Sequence, residues 1–312
     1  LPVVLPHYPI LVVSYTLLNL SMYSWMPSRT KLVALLVPAS ILGKTYGVLS
    51  MLFNASRTTT PFIMGRLTWL GYGYLLLVAG SATLILSTTT YILLKIMIKV
   101  EKTNTSHREL LDSYKQLFTY FGWDALPLVL FVGLDGFAWR LWFPILNAYL
   151  KQYRGLGDPE IGNFMSLLGL SMLFTSYIAG IVTDKLKPRR SLVIYEFLGA
   201  FGIALLLMDY PILYGGAILF GFSIAFWVTA YNSLITIVYG YESIGRLRAL
   251  TDTTRTIATI PAPQIGGYLL LVNPILPFII SMTTMITATL PISMVKVRGK
   301  PEKIEVEETI LP

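Results

Sequence analysis

The sequence predicts an all-α fold, a polytopic transmembrane helix bundle, and three observations predict it. Of 312 residues, 54% are hydrophobic and only 13% charged, with mean hydropathy +0.66. A soluble domain carries about 25% charged residues, so this chain has too few to cover a water-facing surface. Its charges are clustered, leaving apolar runs such as 71–94 and 160–183; about 20 such residues cross a hydrocarbon core of about 30 Å. Basic residues also favour alternate connectors, the mark of a chain threaded back and forth through a bilayer.

Proline, glycine and charge punctuate the chain into nine expected spans, at about 9–30, 44–67, 71–97, 125–149, 160–183, 190–208, 211–237, 246–271 and 274–295. The charged stretch 100–123 divides three helices from six. Within it, HRELLDSYKQLFTYFG aligns Leu110, Leu111, Tyr114, Leu117, Phe118 and Phe121. That face suits an amphipathic helix on the membrane surface or one packed under a soluble partner. Lys95, Lys99, Lys102, Arg108 and Lys115 fall on the same side as Lys185, Lys187, Arg189, Arg190, Arg246, Arg248, Lys296 and Arg298. The opposite connectors hold only Arg66, Lys151 and Arg154. The central connector and the C-terminus are therefore expected on the cytoplasmic side of a cell membrane.

Composition also excludes. Without cysteine there are no disulfides, thiolate metal sites or cysteine nucleophiles. His7 and His107 are too few for a histidine metal site, so no metal and no cofactor is expected. The net charge of +8 sits in short connectors, which argues for topology and against a nucleic-acid partner. No G-x-x-x-x-G-K-[ST] loop is present for direct ATP use, and no HExxH or GxSxG set for a membrane enzyme. The partners expected are a lipid bilayer, a small-molecule substrate and H+, for a monomeric chain.

The chain repeats itself. Tyr8-Pro9-Ile10-Leu11 recurs 202 positions later as Tyr210-Pro211-Ile212-Leu213. At the same offset Ser21 meets Ser223, Trp25 meets Trp227, Gly43 meets Gly245, Lys44 meets Arg246, Pro61 meets Pro263 and Gly65 meets Gly267. Glycine and proline matches carry the most weight, because their backbone restrictions are hard to meet by accident. The second copy starts near 125, three helices before its YPIL, so three helices of the first copy are expected ahead of residue 1. The expected plan is 6+6 with pseudo-twofold symmetry: 1–99 as helices 4–6, 100–124 as connector, 125–296 as helices 7–12 and 297–312 as tail.

Laid out this way, the chain resembles the major facilitator superfamily of transporters. GIVTDKLKPRR (180–190) is similar to that family's Gly-x-x-x-Asp-(basic)-x-Gly-(basic)-(basic) signature, with Lys187 at the internal glycine and Pro188 at a basic position. VPASILGKTYGVL (37–49) and YGYESIGRLRALT (239–251) resemble its paired turn before the next helix, with Glu242 answered only by Ser40. The resemblance implies that Gly180 and Asp184 hold an inner gate against the start of the helix near Gly43, with Arg57 as an added cation. By charge alone, Arg189 and Arg190 are expected to meet Glu242 or Glu196, with positive-inside anchoring as the alternative reading of this basic stretch.

Charges inside a span are costly and default to function. Asp135 and Arg140 share LFVGLDGFAWRLWFPILNAYL, about 140° apart around the helix and so poor partners for each other. Asp135 suits a coupling proton and Arg140 an anionic substrate, or both belong to structural ion pairs. RLRALTDTTRTIATIPAPQIGG is too polar for lipid, so Asp252 and Arg255 are expected to line water or protein. Asn54 and Arg57 give the first copy a similar polar face. Trp227, Tyr231 and Asn232 complete the candidate path; buried helix-to-helix hydrogen bonding is the alternative for each. The implied function is a secondary transporter working by alternating access. A protein that binds without transporting and a membrane enzyme are its rivals.

Overall fold

The computed structural model describes residue 17 and residues 39–97, 122–238 and 244–296. The first expected span, nearly all of the amphipathic stretch 100–123, Glu242 and the tail from 297 lie outside the described residues. Among those described there is no strand. The helices are α1 (Ala39–Leu67), α2 (Tyr72–Met97), α3 (Leu126–Trp142), α4 (Leu146–Gln152), α5 (Asp158–Leu186), α6 (Pro188–Leu206), α7 (Leu213–Val238), α8 (Ile244–Thr259), α9 (Ala262–Val272) and α10 (Leu276–Met294).

Two expected spans are broken, and proline accounts for both. Pro144 sits in a 3-10 turn, Phe143–Ile145, that separates α3 from α4. Its ring crowds the preceding turn and it has no N–H to give. The expected span 246–271 is cut at Ile260 and Pro261 into α8 and α9. Its sequence counterpart α1 carries the matching Pro61 inside an unbroken helix. The difference is Pro261, where α1 has Thr59. One missing N–H is absorbed; two within three residues end the helix.

Five helical stretches among the described residues are long and apolar enough to cross a membrane: Tyr72–Leu93, Trp123–Gln152, Asp158–Leu186, Leu213–Ile235 and Leu276–Met294. The helices at the other expected positions are more polar. Helix α1 carries Ser56-Arg57-Thr58-Thr59-Thr60, α6 carries Arg189, Arg190 and Glu196, and α8 carries Arg248, Asp252 and Arg255.

The chain divides into two compact units. One comprises Leu1–Asn104 with Asp158–Ser166, the other Thr105–Gly157 with Leu167–Pro312. In the first, α1 meets the opening turns of α5 backbone to backbone. A Cβ on Gly65 would lie 2.6 Å from the Asp158 carbonyl oxygen, and one on Gly162 only 2.5 Å from that of Pro61. Glycine is required at both places because no side chain fits. Arg66 Nη1 donates to Asn163 Oδ1 at 3.1 Å and Tyr72 OH to Asp158 Oδ2 at 2.6 Å.

In the second unit α3 packs against α8, α9 and α10; α10 also packs on α6, and α6 on α7. Trp142, Phe220 and Phe278 fill the core with no exposure worth counting. Ser281 of α10 donates to the Ala138 carbonyl of α3 at 2.9 Å. Helices α6 and α7 approach through Gly202 and Gly216, where a Cβ on Gly216 would meet the Gly202 carbonyl oxygen at 2.8 Å.

The turn from α5 into α6 retains a glycine-type backbone without the glycine. Lys187 sits at φ 71°, ψ 147°, close to a region that only glycine occupies without strain, at about 1–3 kcal/mol for other residues. Pro188 then opens α6 with the φ that a first helical turn needs. Lys187→Gly should relieve that strain at a smaller entropic cost. We expect net stabilisation of about 1 kcal/mol, read as a higher unfolding midpoint in detergent. A lower midpoint would show that the Lys187 backbone carries no strain.

Candidate functional site

The polar face of α8 organises the site. Arg248, Thr251, Asp252 and Arg255 fall at spacings of three, four and seven, so they share one face of the helix. Opposite Arg255, α3 supplies Asp135, which has no solvent exposure. Arg255 Nη2 lies 3.1 Å from Asp135 Oδ2, but off the hydrogen-bond axis, so that oxygen has no aligned donor. The attraction there is charge at short range. Tyr195 OH of α6 donates a hydrogen bond to the other oxygen, Asp135 Oδ1.

Glycine makes the approach possible. A Cβ on Gly136 would stand 2.6 Å from Arg255 Cγ, so the arginine stem lies where a larger residue would be. The guanidinium also sits over the Trp227 ring, 4.2 Å from its centre. Such stacking suits a planar cation that keeps few water contacts. Trp227 stacks on Tyr231 at 4.7 Å and 13°, and Tyr195 stacks on Trp139 at 6.3 Å and 12°. An aromatic wall from α3, α6 and α7 thus surrounds one ion pair.

A second group lies one to two turns earlier on α8. Arg248 Nε donates to Asp252 Oδ2 at 3.0 Å and Nη1 to Asn232 Oδ1 at 2.6 Å. Its guanidinium lies 5.2 Å from the Tyr231 ring centre. Tyr231 OH donates to Thr251 Oγ1 at 2.6 Å, and that hydroxyl donates to the Leu247 carbonyl at 2.9 Å. Here the Arg248 and Asp252 side chains are 44% and 54% exposed, whereas in the other pair Asp135 is fully buried and Arg255 is 28% exposed.

The structure therefore brings together Asp135, Arg255 and Trp227, with Tyr231, Asn232 and Asp252 linked to them through stacking and Arg248. Arg140 lies half-buried farther along α3; the partners of Asp135 are Arg255 and Tyr195. Asn54 is buried on α1 in the other unit, and Arg57 is exposed there, its guanidinium 5.1 Å from the Phe53 ring. Near the α5–α6 turn Asp184 and Arg190 are exposed, and a Cβ on Gly180 would meet nothing within 4 Å. Arg189 Nη1 donates to the Val295 carbonyl at 3.2 Å, which ties the start of α6 to the end of α10.

One expectation is corrected. Glu196 does not pair with Arg189 or Arg190: it is fully buried, and neither of its carboxyl oxygens has a hydrogen-bond partner among the described residues. Seven residues into the helix from Arg189, it sits about 10 Å deeper along α6. Tyr195 was not foreseen at all. Its signal was a tyrosine one residue before an unexplained glutamate in an apolar helix, which is weak.

Comparison with known families decides the relationship. The sequence model of the Major Facilitator Superfamily matches residues 1–263 and, in a second alignment, 128–310. The chain belongs to the Major Facilitator Superfamily. Among curated proteins it is similar to the "Multi-drug resistance efflux pump PmrA" of Streptococcus pneumoniae serotype 4 (strain ATCC BAA-334 / TIGR4), at 27% identity over 264 residues. The same protein of strain ATCC BAA-255 / R6 matches equally. Each alignment covers 80% of this chain and 63% of the relative, so the chain spans under two thirds of those relatives' length. In this superfamily member the ion pair lies on helices α3 and α8 of the second unit.

Breaking a buried pair strands a charge, which costs about 3–5 kcal/mol, while removing both partners costs far less. Asp135→Asn and Arg255→Gln should each destabilise strongly, and the double variant less than either. A double-mutant cycle of denaturation midpoints in detergent measures this. Additive losses would show that the two residues do not act as a pair.

Proposed function

We propose that the protein is a secondary active transporter that moves a small solute across a cell membrane by alternating access. The observation that carries this reading is the Asp135–Arg255 pair, opposite charges 3.1 Å apart that join the apolar helix α3 to the polar face of α8 in a superfamily member. A bilayer protein keeps such a pair at a cost, and a path for solute or ions is the use that repays it. Family membership and the efflux-pump relatives support export, with drug-like or organic ionic solutes as the substrate class. The sequence has no phosphate-binding loop for ATP, and the energy source in this reading is an ion gradient, with H+ as the coupling ion, the solute's own gradient being the alternative.

In this reading the central connector and C-terminus face the cytoplasm, and Asp184 with Gly180 works the inner gate. Tyr231, Asn232, Asp252 and Asn54 line the path, and the chain acts as a monomer. Because Asp184 is exposed, its substitution should spare the fold. Reconstituted full-length protein should therefore move a fluorescent lipophilic cation against its gradient when a proton gradient is imposed. Asp184→Asn should cut that rate at least tenfold with an unchanged unfolding midpoint. Unaltered transport by Asp184→Asn removes the gate assignment; absence of any transport by the unsubstituted protein favours a binder that does not transport.

A further inference from the structure

The start of α6 and the end of α10 meet in a cationic corner. Arg189 Nη1 donates to the Val295 carbonyl at 3.2 Å, and a Cβ on Gly199 would lie 3.1 Å from Met285 Sδ. These two contacts follow each other in opposite order along the two helices, so α6 and α10 run antiparallel with Arg190 level with Met294. Lys187, Arg190 and Lys296 are exposed at this end, and none of them pairs with a carboxylate among the described residues. Asp184 and Lys185, at the end of α5, are exposed too and bring one charge of each sign.

Next to that corner the exposed faces are apolar. Phe197 and Phe201 follow Arg190 at spacings of seven and eleven, so the three share one face of α6. The two phenyl groups are 52% and 59% exposed and lie about 10 Å and about 16 Å along the axis from the arginine. On α10, Ile286, Leu290 and Met294 recur every four residues and are exposed as well. Helix α10 is apolar enough to cross a membrane, so lipid is the solvent of these faces. At that distance from the cations the phenyl groups meet acyl chains rather than headgroups.

A cationic rim joined to an aromatic and aliphatic stripe complements a lipid with a negative head. A zwitterionic head brings an ammonium group that the rim repels, whereas a phosphate with no cation beside it supplies the missing charge. A second copy related by a twofold axis would set the rim against itself, cation on cation. A soluble protein would reach the rim and leave the stripe uncovered.

We propose that this corner of α6 and α10 binds one anionic phospholipid, its phosphate held by Lys187, Arg190 and Lys296 and its acyl chains laid along Phe197, Phe201 and Leu290. Arg189 is the positioning residue, since its bond to the Val295 carbonyl brings Lys296 beside the start of α6. The site goes beyond the transport reading and does not rest on it.

Native mass spectrometry tests this on the full-length protein, exchanged into micelles that hold equal amounts of dioleoylphosphatidylglycerol and dioleoylphosphatidylcholine. The unsubstituted protein should retain one phosphatidylglycerol, preferred about tenfold or more over phosphatidylcholine. Arg190→Gln and Lys296→Gln should each cut that preference about fivefold, the worth of one basic side chain beside anionic lipid. Lys95→Gln removes an exposed cation from the end of α2 and should leave the preference unchanged. Glycerol 3-phosphate in excess carries the phosphate without the chains and should displace nothing. Equal retention of the two lipids overturns the proposal, as does a preference that survives both Arg190→Gln and Lys296→Gln. An equal loss in Lys95→Gln also overturns it, leaving only a general attraction of basic connectors for the membrane. Displacement by glycerol 3-phosphate does so too, because the occupant is then a free phosphate. The spectrum of the unsubstituted protein decides even where a variant fails to fold. No solute moves in this measurement, so it stands or falls apart from the transport assay.

Discussion

The buried pair between Asp135 and Arg255 is the constraint around which the second unit is arranged. An ion pair taken out of water recovers its desolvation only if geometry is close and the remaining polar atoms are engaged. Each neighbour meets part of that demand. Tyr195 gives its hydroxyl to Asp135, Trp227 takes the face of the guanidinium, and Gly136 yields room for the arginine stem. The break at Ile260 and Pro261 belongs to the same arrangement. It ends α8 one turn beyond Arg255 and lets α9 start afresh on α3, where Gly266 lies so close to the Leu141 carbonyl that a Cβ would collide with it. A straight helix from 244 to 272 would have to satisfy both contacts with one axis.

Polarity is distributed among the helices in a way that follows from the solvent. Lipid offers no hydrogen bonds, so helices rich in charge must face protein or water. Helices α1, α6 and α8 fall outside the set apolar enough to span on composition, and they carry Asn54 and Arg57, Tyr195 and Glu196, and the Arg248–Arg255 face. By contrast α2 is apolar enough over Tyr72–Leu93 to cross a membrane. Helix α3 is the exception that shows the cost, a largely apolar segment that carries the fully buried Asp135 and the half-buried Arg140.

Much of this was legible. Among the described residues, composition and punctuation located most helix ends to within a few residues, because apolar length and proline position act locally, though two expected spans are each split in two. They also singled out Asp135 and Arg255 as charges within a span, and Trp227 as a residue that lines a path or packs between helices. What they did not supply was register between helices. Asp135 and Arg255 stand 120 positions apart in the sequence, and nothing along it says which turn of α3 faces which turn of α8. Glu196 was misread for the same reason. Near Arg189 in sequence, it looked like a surface partner, whereas seven helical residues place it at a different depth. At the α5–α6 turn the absent glycine hid a conformation that Lys187 nevertheless adopts, because flanking helices fixed by packing impose it on whatever residue is there.

The sequence repeat makes the placement of charge more telling. At the 202 offset Trp227 answers Trp25 and Pro263 answers Pro61, so large aromatic and backbone-setting residues recur in both copies. The charged face does not recur. Arg248, Asp252 and Arg255 stand opposite Tyr46, Ser50 and Phe53, and Thr251 opposite Leu49. Pro61 and Pro263 recur although the helices differ, one unbroken and the other cut at Ile260 and Pro261. Where the two copies can be compared, 44–67 against 246–269, the backbone-setting residues recur and the Arg248–Arg255 face does not, so packing sets the shared frame and the charged face is particular to α8.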